Sequence, residues 1–195
     1  MLVTVLDTET TGLDYKQHEI IQFAAVRFSL KENCDVVILD KIDIKIKPKD
    51  ILLASPQALK VNGFTEAAWQ DTLPIENHLP CLESFLTNCN FLLGQNLVFD
   101  LRFIAKAFAS NNKTIPKFPH YADTKHMATN LVKKGKLKSA GMDRLVEHYG
   151  IKFQGRAHTA LADCHRTLSV WMQLIKETDM DFFTFEEPYD PFAKK

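Results

Sequence analysis

A mixed α/β sheet flanked by helices is the fold class this sequence predicts, on two observations. The first quarter of the chain reads as consecutive β segments, and the remainder alternates helical stripes with short apolar runs. With 195 residues, 46% of them hydrophobic and 25% charged, the chain fits one globular domain. A domain of this size buries roughly 70% of its unfolded surface and needs no disulfide or structural metal to fold.

The opening run Leu2 to Leu6 is a strand, and it leads into Asp7-Thr8-Glu9-Thr10-Thr11-Gly12-Leu13. Alternation sends Asp7 and Glu9 to one face and Thr8 to the other. Two neighbouring anions repel, and a divalent cation is the usual remedy. Taken alone, Asp-x-Glu is more often an ordinary polar strand end before a turn such as that at Gly12, so the metal reading requires further ligands from elsewhere in the chain. Glu19 to Phe28 is rich in β-formers and forms a second strand. In the third, from about Val36 to Lys47, Ile42, Ile44 and Ile46 alternate with Asp43, Lys45 and Lys47 until Pro48. One buried and one wet face suit an edge strand of an antiparallel meander.

Ser55-Pro56 starts a short helix that Gly63 stops. Ile75, Leu79, Leu82, Leu86 and Cys89 recur at spacings of four and three, predicting one helix of about four turns. Phe91 to Gly94 is a short buried strand. Leu101, Ile104, Ala105 and Phe108 then form a helical stripe that leaves Asp100 near a helix N-terminus, where an acid is welcome. Tyr121 to Thr124 is a strand end or cap before a helix carrying Met127 and Leu131. Lys133 to Lys138 is the densest basic tract and precedes a helix from about Ser139 to Tyr149. A last long helix begins near His158, with Leu161, Cys164, Leu168, Trp171 and Ile175 on one stripe and Asp163 beside it.

Several function classes are disfavoured by composition. The 24 basic and 24 acidic residues cancel, which argues against a protein that coats nucleic acid but permits a local grip on a few phosphates. No run of about 18 apolar residues suggests a membrane span, and the N-terminus has no basic region or cleavage motif. Cys34, Cys81, Cys89 and Cys164 lack C-x-x-C spacing, so reduced and mostly buried thiols in a cytoplasmic protein are expected, and zinc is disfavoured.

Three segments together resemble a known family. Asp7-Thr8-Glu9-Thr10-Thr11-Gly12-Leu13, Asn96-Leu97-Val98-Phe99-Asp100 and His158-Thr159-Ala160-Leu161-Ala162-Asp163 are similar, in order, to the three motifs of the DEDDh exonucleases, the DnaQ-like 3′→5′ enzymes. The resemblance covers most of the first 175 residues, and it implies an RNase H-like mixed five-stranded sheet whose central strand carries the Asp-x-Glu pair. It further implies a metal-dependent hydrolase that releases nucleoside 5′-monophosphates from a single-stranded or frayed 3′ end, with DNA the expected substrate. Asp7, Glu9, Asp100 and Asp163 would hold two divalent cations about 4 Å apart, and oxygen-only ligands suit Mg²⁺ or Mn²⁺. His158 would be the general base, a task suited to an imidazole.

By the same resemblance Thr10, Gly12 and Leu13 contact the terminal nucleotide, and Asn96 and Phe99 face the scissile end. The stretch Leu59 to Thr65 resembles a segment that wedges against terminal bases, here through Val61 or Phe64, with Asn62 standing where that segment often has His. The lysine tract, with Arg102, Lys106 and Arg156, offers candidates for backbone contacts. An exonuclease domain over residues 1–178 and an aromatic, acidic tail over 179–195 are expected. That tail packs back on the domain, or tethers it to a polymerase complex or a second copy. An RNA-trimming enzyme and a non-catalytic binding protein of the same fold are the alternatives.

Overall fold

The computed structural model describes residues 1–32, 34–152, 159–178 and 186–191. Strands Leu2–Thr10 (β1), Ile20–Leu30 (β2), Val36–Lys45 (β3), Phe91–Gly94 (β4) and Tyr121–Asp123 (β5) form one sheet in the order β3-β2-β1-β4-β5. The first three pair antiparallel, and β4 and β5 run parallel to β1. β1 is therefore central, as expected, and β3 lies at an edge.

The helices are Pro56–Asn62 (α1), Glu66–Trp69 (α2), Leu79–Thr87 (α3), Leu97–Ser110 (α4), Thr124–Lys133 (α5), Met142–His148 (α6) and Ala160–Thr178 (α7). They cover both faces of the sheet, and the period of two in β1 decides which side chain meets which layer. Val3 and Val5 enter the core that α5, α6 and α7 close with Met127, Leu131, Leu145, Leu168 and Trp171. Leu6 enters the opposite core, which α3 and α4 close with Leu82, Leu86, Leu101, Ile104 and Phe108.

α1 follows its signals: Ser55 Oγ accepts from Ala58 N–H, and Gly63 ends the helix at φ 69°, in the left-handed region. The continuous helix expected from Ile75 to Cys89 is broken in two. A 3-10 turn spans Ile75–Asn77, and α3 begins only at Leu79 because Pro80 lies in its first turn. Proline there lacks the N–H that an interior position would need. The helix expected over 139–149 is confined to α6, with Gly150 beyond it at φ 60°. α2 was missed, since a four-residue helix capped by Thr65 leaves no stripe to read.

Among the cysteines, Cys164 is buried, Cys34 and Cys89 are half-buried and Cys81 is exposed, so the expectation of mostly buried thiols is corrected. All four are free thiols. In the tail, Glu186 pairs antiparallel with Tyr121 at the free edge of β5, and Tyr189 packs against Phe118 at a ring separation of 6.0 Å. Among the described residues, no helix is long and apolar enough to cross a membrane.

Candidate active site

The C-terminal end of β1 supplies carboxylates because its alternation continues past the hydrophobic core. Asp7 and Glu9 extend the row of Val3 and Val5 toward α7, whereas Thr8 extends the row of Leu6 toward α4. α7 places Asp163 over the first row, where oxygens of Asp7, Glu9 and Asp163 all lie within 4.8 Å of one another. α4 brings Asp100 to the second row. There Asp100 Oδ1 accepts from Thr8 N–H at 2.9 Å and from the Thr8 hydroxyl at 2.6 Å. Asp100 is thus adjacent to the three-carboxylate set but outside it, fastened to the backbone between Asp7 and Glu9.

Burial and neighbouring charge perturb Asp7, Glu9 and Asp100. Burial, followed by the charges of Asp100, Asp163 and Glu9, raises Asp7 well above the carboxylate range, and Arg166 opposes that rise. Burial, with Asp163 and Asp100, lifts Glu9 to about 7. Asp100 also reaches about 7 through burial, although both hydrogen bonds from Thr8 pull it down. Cys164 is no nucleophile: its Sγ donates to the Ala24 carbonyl at 3.4 Å, and burial pushes the thiol up.

Arg166 was not singled out by the sequence reading, yet its side chain is only 6% exposed. It donates to Asp163 at 2.7 Å and also bonds Asp143 on α6, so it aims Asp163 while joining two helices. The i,i+3 spacing of Asp163 and Arg166 was the available signal. Arg166→Gln is expected to lower the stability of the metal-free protein by about 3 kcal/mol, read by urea unfolding, because a buried ion pair loses one partner.

A cavity of about 420 Å³ opens over Asp7, Asp163, Arg166 and Asp143, with Gln95 in its wall. A second, of about 330 Å³, is lined by Glu9, Thr10, Gly12, Leu13, Val61 and Phe99. It thus gathers five of the seven residues expected to meet a substrate. Leu13 is 85% and Val61 45% exposed, so both present apolar surface at its mouth. Gly12 has a packing reason as well: a Cβ there would lie 2.3 Å from the His18 ring. Asn62 turns inward and donates to the Thr10 carbonyl at 3.1 Å, which braces the loop leaving β1.

Two expected contacts lie elsewhere. Phe64 packs at a tilt against Trp69 with ring centres 4.9 Å apart and does not line this cavity, because α2 offers it an aromatic partner. Asn96 is exposed and left-handed at φ 65°, turning β4 into α4, and its N–H donates to Asp123 at 2.9 Å. Asp123 also accepts from Leu97, Lys125 and His126, so one carboxylate caps the starts of both α4 and α5. Of the basic candidates, Lys106 donates to the carbonyls of Lys16 and His18. His158 and Arg156 lie outside the described residues.

Residues 4–171 match the family model RNase_T, described as Exonuclease. The chain belongs to this exonuclease family. Its relatives are DnaQ-like. The PolC-type DNA polymerase III of Thermotoga petrophila is 31% identical over 172 residues, which are 88% of this chain and 12% of that protein. The DNA polymerase III subunit epsilon of Aquifex aeolicus is 26% identical over 174 residues, covering 89% of this chain and 80% of the subunit. The chain therefore spans about an eighth of the PolC-type relatives' length.

Solved exonucleases share the fold. The nuclease domain of 3′hExo, a DEDDh family member bound to rAMP, superposes with a TM-score of 0.76 over 96% of this chain and 97% of that one, at 16% identity. E. coli Exonuclease I in complex with an oligonucleotide gives 0.75 over 91% of this chain and 42% of that one, at 20% identity. The mixed five-stranded RNase H-like architecture is accordingly that of this exonuclease domain.

Proposed function

We propose that this chain hydrolyses phosphodiester bonds at the 3′ end of single-stranded or frayed DNA, releasing nucleoside 5′-monophosphates. The observation that carries the reading is the convergence of Asp7, Glu9 and Asp163 within 4.8 Å, with Asp100 adjoining them. The site fits hard divalent cations: its donors are carboxylate oxygens, and the raised pKa values of Asp7 and Glu9 come first from burial and then from neighbouring acids, costs that cations would offset. Asp7, Glu9, Asp163 and Asp100 would hold Mg²⁺ or Mn²⁺, two ions in the full arrangement, and these would supply Lewis acidity toward the phosphodiester.

The chain's own residues do the rest. Thr8 holds the Asp100 carboxylate in place, and Arg166 holds that of Asp163. Thr10, Gly12 and Leu13 present the loop on which a terminal nucleotide rests, with Val61 and Phe99 as apolar walls. His158 accepts the proton of the attacking water at a ring nitrogen. A non-catalytic binder of the same fold would have no use for all five of Asp7, Glu9, Asp100, His158 and Asp163.

DNA is favoured over RNA, and proofreading or repair over RNA trimming, because the relatives are named as DNA polymerase III PolC-type and subunit epsilon. Within such a setting a polymerase complex is the partner, and the cytoplasm is the location. The test is a comparison of 5′-labelled DNA and RNA, single-stranded, duplex and duplex with a mismatched 3′ terminus. Single-stranded and mismatched DNA should be shortened fastest. Faster shortening of RNA would remove the DNA assignment.

A further inference from the structure

Beyond the acidic site the chain carries a second, oppositely charged cavity. About 660 Å³ in volume, it is lined by Lys136, Lys138, Arg144 and His148, with Glu147 and Ser139 among its other walls. Even with the imidazole neutral and Arg144 paired to Glu147 at 2.8 Å, three cations face one carboxylate. The chain as a whole is neutral, so this is a local concentration of positive charge.

The loop that displays these lysines is held at several points. Gly135, at φ 70°, ends α5 by donating to Val132, and Lys136 N–H donates to the Leu131 carbonyl, both at 2.9 Å. Leu137, between the two lysines, is 5% exposed and sits in the core beneath α7, so its neighbours are thrown outward on either side. Farther on, Ser139 Oγ accepts from Gly141 N–H, and Gln95 Nε2 donates to the Ala140 carbonyl at 2.9 Å. Arg144 lines both this cavity and the one over Asp7 and Asp163, so the basic cavity and the acidic one meet at its side chain.

We infer that the Lys136–Lys138 cavity is a subsite for the phosphodiester backbone of nucleic acid, taking phosphates on the 5′ side of the bond that is cut. This rests on the exonuclease reading and adds where the strand runs. An acidic cluster repels a polyanion, and an anchored basic cavity beside it offsets that repulsion for every phosphate beyond the first few. Phosphate contacts carry no sequence information, so the subsite favours longer strands irrespective of base.

The test is fluorescence anisotropy with 5′-labelled oligonucleotides in Ca²⁺, using wild type and Lys136→Gln/Lys138→Gln. Both lysines are exposed, so the variant should fold, and its thermal unfolding is recorded alongside. Wild type should bind a decanucleotide more tightly than a trinucleotide, and the variant should lose most of that gain, roughly tenfold. The slope of log affinity against log salt should fall by about 1.4 in the variant, or about 0.7 per lost single-strand contact. An unchanged slope and length dependence would overturn the subsite and leave the cavity to an acidic protein surface. If the variant shows both changes while wild type cleaves nothing in Mg²⁺, the subsite stands and the exonuclease reading fails.

Discussion

Asp7→Asn is expected to abolish exonuclease activity while making the metal-free protein more stable. The two effects share one cause. Asp7 is a carboxylate whose ionisation burial and three neighbouring acids oppose, so its charge costs folding free energy until a cation offsets it. Replacement by an amide removes that cost and with it a central ligand. Losing several kcal/mol of transition-state stabilisation corresponds to a rate loss of about 10³-fold or more. The stability gain should be about 1–2 kcal/mol, which at this chain length raises the unfolding midpoint by about 2–8 °C. A variant that is both inactive and less stable would mean that Asp7 contributes packing and not electrostatic strain. In the same series, His158→Ala should slow cleavage by about 10²–10⁴-fold with metal affinity kept, the signature of a lost base.

The stability of the metal-free protein should fall as pH rises through neutrality. Glu9 moves from an ordinary 4.5 to about 7 in the folded chain, and Asp100 from 3.8 to about 7. The unfolded chain therefore releases these protons first. Folding gains from the raised values below about pH 4 and loses that gain as pH climbs to about 7. For Glu9 alone the change amounts to about 3 kcal/mol, and coupling among the acids keeps the contributions from adding simply. Mg²⁺ binds the ionised carboxylates, so saturating metal should flatten the profile by about 3 kcal/mol at a hundredfold excess over its dissociation constant. Urea unfolding at about pH 5 and about pH 8, with EDTA and with Mg²⁺, reads this directly. A metal-free profile that rises with pH, or one that Mg²⁺ does not alter, would contradict the reading.

The central strand was legible as an apolar run ending in Asp7-Thr8-Glu9, and strand geometry then puts Asp7 and Glu9 on the face of Val3 and Val5. Asp100 and Asp163 were legible by resemblance, since their meeting with β1 is a tertiary event that spacing alone does not encode. Local signals failed where a competing rule won. Pro80 turned one apolar stripe into a 3-10 turn and a helix, and α2 is too short to show a period. Phe64 was drawn to Trp69, a partner nearby in sequence but across an unread helix. Tyr121 to Thr124 reads from sequence only as a strand end or cap before α5, and the role of Asp123 at α4 as well depends on β4 and β5 lying side by side. Arg166 is one of 24 basic residues, and only burial against Asp163 distinguishes it.

The most direct test follows a 5′-labelled single-stranded DNA through time with wild type and Asp7→Asn, in Mg²⁺ and in EDTA. Wild type in Mg²⁺ should give a ladder shortening from the 3′ end with nucleoside 5′-monophosphate released, and the other three conditions should leave the strand intact. Equal cleavage by wild type and Asp7→Asn, persistence in EDTA, or release of the label as the first product would contradict a metal-dependent 3′→5′ exonuclease centred on Asp7 and Glu9.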